Sequence, residues 1–88
     1  YIFDNKQLKK VTLLDKKKDP YLSLEFVSPL VALWSPTKPH PDCPFVCIEP
    51  WYGRCDSVGY SGELKNREWI QKLESKEVFD VEYKIIIE

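Results

Sequence analysis

The chain has 88 residues, 43% of them hydrophobic and 14% aromatic, with 13 lysines and arginines against 14 acids. A chain this short makes one domain at most and buries roughly 60–70% of its unfolded surface, and its apolar content argues against disorder. A net charge of −1 supplies no global field for nucleic acid or an anionic bilayer, and no apolar run is long enough to span a membrane.

The chain starts with Tyr1-Ile2-Phe3, a short apolar burst with no partner upstream, and it contains no methionine. It shows neither the basic start nor the apolar stretch of a signal peptide. These features read as the interior of a larger protein. Leu8 to Leu14 is β-prone, and Asp15-Lys16-Lys17-Lys18-Asp19-Pro20 reads as a charged hairpin tip, its lysines flanked by aspartates. Tyr21 to Val27 alternates, with Leu22, Leu24 and Phe26 set against Tyr21, Ser23 and Glu25, the period of a half-buried strand. Ser28-Pro29 breaks it, and the unbroken apolar run Leu30–Trp34 predicts a strand buried on both faces.

Prolines 36, 39, 41 and 44 make 35–44 a loop, after which Phe45–Glu49 predicts another strand. Gly53, Gly59 and Gly62 punctuate a polar loop reaching about Asn66 and do not have phosphate-cradling spacing. Arg67 to Leu73 predicts a short helical turn with Trp69, Ile70 and Leu73 on one side, Trp69 serving as core. The last segment alternates most clearly, with Phe79, Val81, Tyr83, Ile85 and Ile87 on one face and Asp80, Glu82 and Lys84 on the other. Several short strands, little helix and proline-rich connections predict an all-β antiparallel sandwich. The closing Ile85-Ile86-Ile87 is a hazard if its edge stays open, which predicts continuation of the sheet or dimerisation through exposed strand edges.

Cys43, Cys47 and Cys55 are an odd number of thiols, which suits a reducing, cytoplasmic compartment better than a disulfide framework. A zinc site needs four ligands; His40 is the only histidine, and Cys43 and Cys47 lie roughly 13 Å apart along a strand. No metal and no cofactor is expected.

Glu49 is the residue that asks for an explanation. On a strand it shares a face with Phe45 and Cys47, while Val46 and Ile48 point the other way. A carboxylate on an apolar face is costly unless it is paired, hydrogen-bonded or used. Pro50 disfavours helix at Glu49 and cannot donate to a ladder, which predicts that the acid ends its strand beside an opening cavity. A catalytic base and a structural carboxylate bonded to loop backbone both fit these residues.

Leu33-Trp34-Ser35-Pro36, then the run Pro44-Phe45-Val46-Cys47-Ile48-Glu49-Pro50-Trp51-Tyr52-Gly53, then Asp56-Ser57 resemble the aldose 1-epimerase (galactose mutarotase-like) family, most of all the bacterial branch often labelled LacX-type. The resemblance extends through Glu63-Leu64, Ile70 and Leu73 to the closing strand, and back to Val11-Thr12-Leu13. It implies that residues 1–88 are the C-terminal portion of one sandwich domain, itself part of a supersandwich. It also implies a monosaccharide substrate and assigns the role of general base to Glu49. The acid histidine, a second histidine, an arginine and an aspartate of the family would come from upstream, in the remainder of the same protein. His40 matches neither family histidine, and Ser75-Lys76-Glu77 departs from the Pro-Gly turn often seen there.

Trp34, Trp51 and Tyr52 are candidates to contact a sugar ring, because rigid aromatics with a polar edge suit that task; core packing is their other reading. Arg54 and Asp56 flank the same loop and could shape its rim. Two rival functions stand beside the epimerase. A non-catalytic carbohydrate-binding module would use the aromatics alone. A glycoside hydrolase would need a second carboxylate across the bond from Glu49, and Asp56 and Glu63 are the nearby ones.

Overall fold

The computed structural model describes residues 1–36 and 45–88. It contains six strands, β1 (Ile2–Phe3), β2 (Lys10–Leu14), β3 (Pro20–Phe26), β4 (Leu30–Trp34), β5 (Cys47–Trp51) and β6 (Tyr83–Ile87), with one 3₁₀ turn at Leu64–Asn66. The strands form two three-stranded sheets, ordered β1-β4-β5 and β2-β3-β6, and every pairing is antiparallel. The fold is all-β and sandwich-like, as the alternation predicts. Among the described residues no helix is long and apolar enough to cross a membrane. His40 and Cys43, and most of the proline-rich loop, lie outside the described residues.

The β2–β3 hairpin is built by its tip. The Asp15 carboxylate accepts the Lys17 and Asp19 backbone N–H groups at 2.7 and 3.0 Å, which is how a short acid mimics a turn. The register then sets Val11 beside Leu24 and Leu13 beside Leu22. On the other side of β3, Leu22, Leu24 and Phe26 face Ile87, Ile85 and Tyr83. Directly opposed residues share a face, so one face of this sheet is apolar throughout. It meets the other sheet through Leu24, Phe26 and Val31, with Phe3, Leu8, Val11, Leu33 and Ile48 packed around them. The chain changes sheets at Ser28-Pro29, where the buried Ser28 hydroxyl donates to the Leu30 carbonyl at 2.7 Å.

Ser23 departs from the simple alternation. It lies on the polar face but is fully buried, because Thr12 and Ile86 flank it on the two neighbouring strands. Its hydroxyl is satisfied there, 2.8 Å from Thr12 Oγ1 and 3.1 Å from Glu88 Oε1. Ser23→Ala should cost about 1 kcal/mol in urea unfolding, because the exposed Thr12 and Glu88 side chains regain water when their partner is lost. A loss beyond about 3 kcal/mol would mean those groups become stranded.

Tyr1-Ile2-Phe3 finds its partner downstream, Ile2 and Phe3 pairing with Ala32 and Val31 of β4. Three expectations change. The fifth strand is Cys47–Trp51, not Phe45–Glu49, so Glu49 sits within it and not at its end. Pro50 is tolerated because β5 is an edge strand, where a missing N–H need not break the ladder. The helical turn lies at Leu64–Asn66 and not at Arg67–Leu73, where Trp69 takes a left-handed φ of 62° that ends any helix. Finally, the last strand covers only Tyr83–Ile87, because Tyr83 pairs with Phe26, the last residue of β3, and the segment before it has no strand to join.

Candidate functional site

Glu49 is placed by β5 and its neighbour β4. Ile48, Val31, Leu33 and Phe3 belong to the core side of this sheet. Alternation therefore turns Cys47, Glu49 and Trp51 to the opposite face. The register puts Trp51 opposite Leu30, Glu49 opposite Ala32 and Cys47 opposite Trp34, while Ile2 lies beyond Ala32. Glu49 is half-buried, and Leu30 and Ala32 are buried beneath this surface.

The carboxylate is held by one neighbour. Trp51 Nε1 donates to Glu49 Oε2 at 3.2 Å, a contact available because residues two apart on a strand share a face. The other oxygen, Oε1, makes no hydrogen bond among the described residues. At the far end of the face, the Trp34 and Phe45 rings lie 5.3 Å apart at 45°, both about half exposed. Glu49 therefore stands between one indole on its own strand and an aromatic pair one register step away. Ala32, itself buried, lies opposite the acid. Such a surface offers flat aromatic faces to C–H groups and one carboxylate oxygen to a hydroxyl.

Tyr52 is not part of this group. It follows the strand end and packs edge-on against Phe79, with ring centroids 5.4 Å apart, and its buried hydroxyl has no hydrogen-bond partner among the described residues. Gln71 Nε2 donates to the Tyr52 carbonyl at 2.7 Å and ties the following loop back to the strand end. Gly53 comes next because the Trp69 carbonyl crowds it; a Cβ there would sit 3.3 Å from that oxygen. The loop is closed by Arg67, whose Nε lies 2.9 Å from Asp56 Oδ1 and whose Nη2 donates to the Arg54 carbonyl at 3.0 Å.

The predicted cavity beside Glu49 is displaced. A concavity of about 470 Å³ opens past the strand end, lined by Pro50, Trp51, Tyr52, Gly53, Arg54 and Cys55, and Glu49 lies outside that lining. The acid stands half-buried on a sheet face whose central residues, Leu30 and Ala32, are buried. Asp56 lies 2.9 Å from Arg67 Nε, and Glu63 lies 3.4 Å from Lys65 on the exposed surface. Among the described residues, no group of three His, Cys, Asp or Glu side chains could hold a metal ion. Ala32 escapes a reading of the sequence, since only the strand register reveals that it faces Glu49. The Glu49–Trp51 bond, by contrast, follows from their spacing.

Comparison with models of protein families, with curated proteins and with solved structures finds no match to this chain.

Proposed function

We propose that the chain is part of an aldose 1-epimerase, in which Glu49 acts as the general base that interconverts the α and β anomers of a free hexose such as galactose or glucose. The observation that carries this reading is the Glu49 carboxylate, hydrogen-bonded by Trp51 Nε1 at 3.2 Å on a face that also bears Trp34 and Phe45. The resemblance of the Cys47–Gly53 segment to that family supports it from the side of the sequence.

In the proposed reaction, Glu49 removes the proton from the anomeric hydroxyl as an acid protonates the ring oxygen, and the ring opens to the aldehyde. Rotation about the bond from the carbonyl carbon to its neighbour, followed by closure on the other face, returns both protons and gives the other anomer. Trp51 fixes the carboxylate through one oxygen and leaves the second to take the proton, while Trp51 and Trp34 offer their faces to the sugar. The acid histidine would come from the remainder of the same protein. A cytoplasmic setting goes with this reading, as do three cysteines in a chain whose described pair, Cys47 and Cys55, is free. A non-catalytic carbohydrate-binding module is the second reading, favoured by the half-exposed Trp34 and Phe45 rings. A glycoside hydrolase ranks third, since Asp56 is engaged by Arg67.

The test begins with pure α-hexose and the complete protein. Polarimetry should show accelerated equilibration, and incubation with a glycoside should release no new reducing ends. The 88-residue chain alone should give almost no acceleration, because base and acid act together. Full mutarotase activity from the 88 residues would overturn the assignment of the acid to another segment. Cleavage of the glycoside would overturn the epimerase reading itself.

A further inference from the structure

Among the described residues the two sheets end in four edge strands, and three of these carry a guard against pairing with another chain. β1 is only two residues long, β5 contains Pro50, and β2 has a register shift between Leu13 and Leu14. β6 has neither proline nor glycine, and it pairs with β3 in unbroken register. Its apolar side chains are also uncovered, with Tyr83, Ile85 and Ile87 at 60, 58 and 75% exposure.

The backbone of β6 is oriented for a further strand. The Glu88 N–H donates to the Tyr21 carbonyl, so the backbone groups of residues 84, 86 and 88 face β3 and those of Tyr83, Ile85 and Ile87 face the open edge. We propose that this edge is taken by a second copy of the same chain, β6 pairing antiparallel with β6 about a two-fold axis at Ile86, to give one continuous six-stranded sheet.

Charge and face select that occupant and that register. A shift of one residue would set apolar residues beside polar ones on both faces. Of the registers that keep the faces matched, the one centred on Lys84 opposes two like lysines. The one centred on Ile85 opposes Glu82 to Glu88, and the one centred on Ile87 sets Glu88 against Ile86. Centring on Ile86 puts Lys84 of each copy opposite Glu88 of the other and pairs Ile85 with Ile87 through their outward backbone groups. Glu88 lies on this face, where its Oε1 accepts from the Ser23 hydroxyl of β3. Across the joined sheet the charges then alternate. Lys10 and Glu25 lie 3.8 Å apart, Lys84 stands next to Glu25 in the register, and Glu88 of the second copy follows. The uncovered isoleucines of the two copies form one apolar block on the other face. This proposal does not depend on the chemistry of Glu49.

Sedimentation equilibrium of the complete protein should show a monomer–dimer equilibrium. Lys84→Glu should weaken the dimer about tenfold by setting like charges against each other twice, and K84E/E88K should restore it. Ile86→Cys supplies a readout that does not depend on affinity. A non-hydrogen-bonded antiparallel pair holds its Cα atoms about 4.5 Å apart, within disulfide reach. Mild oxidation of Ile86→Cys should therefore join the two copies through their introduced thiols, a link found by peptide mapping. Ile85→Pro removes only an outward N–H and should leave a folded monomer. A complete protein that sediments as a monomer at every accessible concentration overturns the proposal. So does a dimer that forms no disulfide between the introduced thiols and ignores the charge swap.

Discussion

Glu49→Gln in the complete protein should lower the rate of anomer equilibration by about 10²–10⁴, the usual contribution of one positioned acid–base group. Glutamine has nearly the same shape, and its amide oxygen can still accept the Trp51 N–H that now reaches Glu49 Oε2 at 3.2 Å. The aromatic face and Ala32 opposite would be undisturbed, so sugar affinity should change little while turnover collapses. That split between rate and binding separates a base from a side chain that merely positions the sugar. Polarimetry from a pure anomer gives the rate, and titration of the sugar by NMR gives the affinity. An unchanged rate would leave the carbohydrate-binding module as the better reading. A joint loss of rate and affinity with retained stability would make Glu49 a binding group.

The placement of Glu49 also shows what a sequence of this kind discloses. Its face was legible: strand alternation alone puts it with Cys47 and away from Ile48, and the register agrees. Its position along the strand was not, because the expectation rested on Pro50 as a terminator. Whether a proline ends a strand depends on which side of the sheet edge its nitrogen faces, and that is a property of the neighbouring strands. The central strands β3 and β4 were legible for the same reason that they are central. β3 is long enough to show its alternation from Leu22 to Phe26, and β4 shows the unbroken apolar run of a strand covered on both sides. β1 was not, since two residues have no period, and only the pairing with Ala32 and Val31 makes them a strand. The left-handed turn at Trp69 had no signal at all, because neither glycine nor asparagine marks it.

Phe26→Ala should cost about 3–5 kcal/mol in urea unfolding, the range for deleting a buried phenylalanine. Only five hydrophobic side chains are buried among the described residues, and Phe26, at 5% exposure, is the largest of them. It lies in the cluster with Leu24 and Val31 where the two sheets meet, and its backbone N–H donates to the Lys9 carbonyl at 3.1 Å. A domain of this size has a total stability of roughly 4–13 kcal/mol, so the single substitution should leave the chain marginal or unfolded at room temperature. Phe26→Leu keeps most of the volume and should cost less than about 1.5 kcal/mol. Phe79→Ala should cost less than Phe26→Ala, since Phe79 is 45% exposed and contributes mainly one edge-on contact to Tyr52. Chain concentration must be fixed across the series, because a dimer built on β6 adds stability by mass action. A loss below about 1 kcal/mol for Phe26→Ala would mean that the two sheets are not held together by this cluster. The face bearing Glu49 would then lack the rigid support that a positioned base requires.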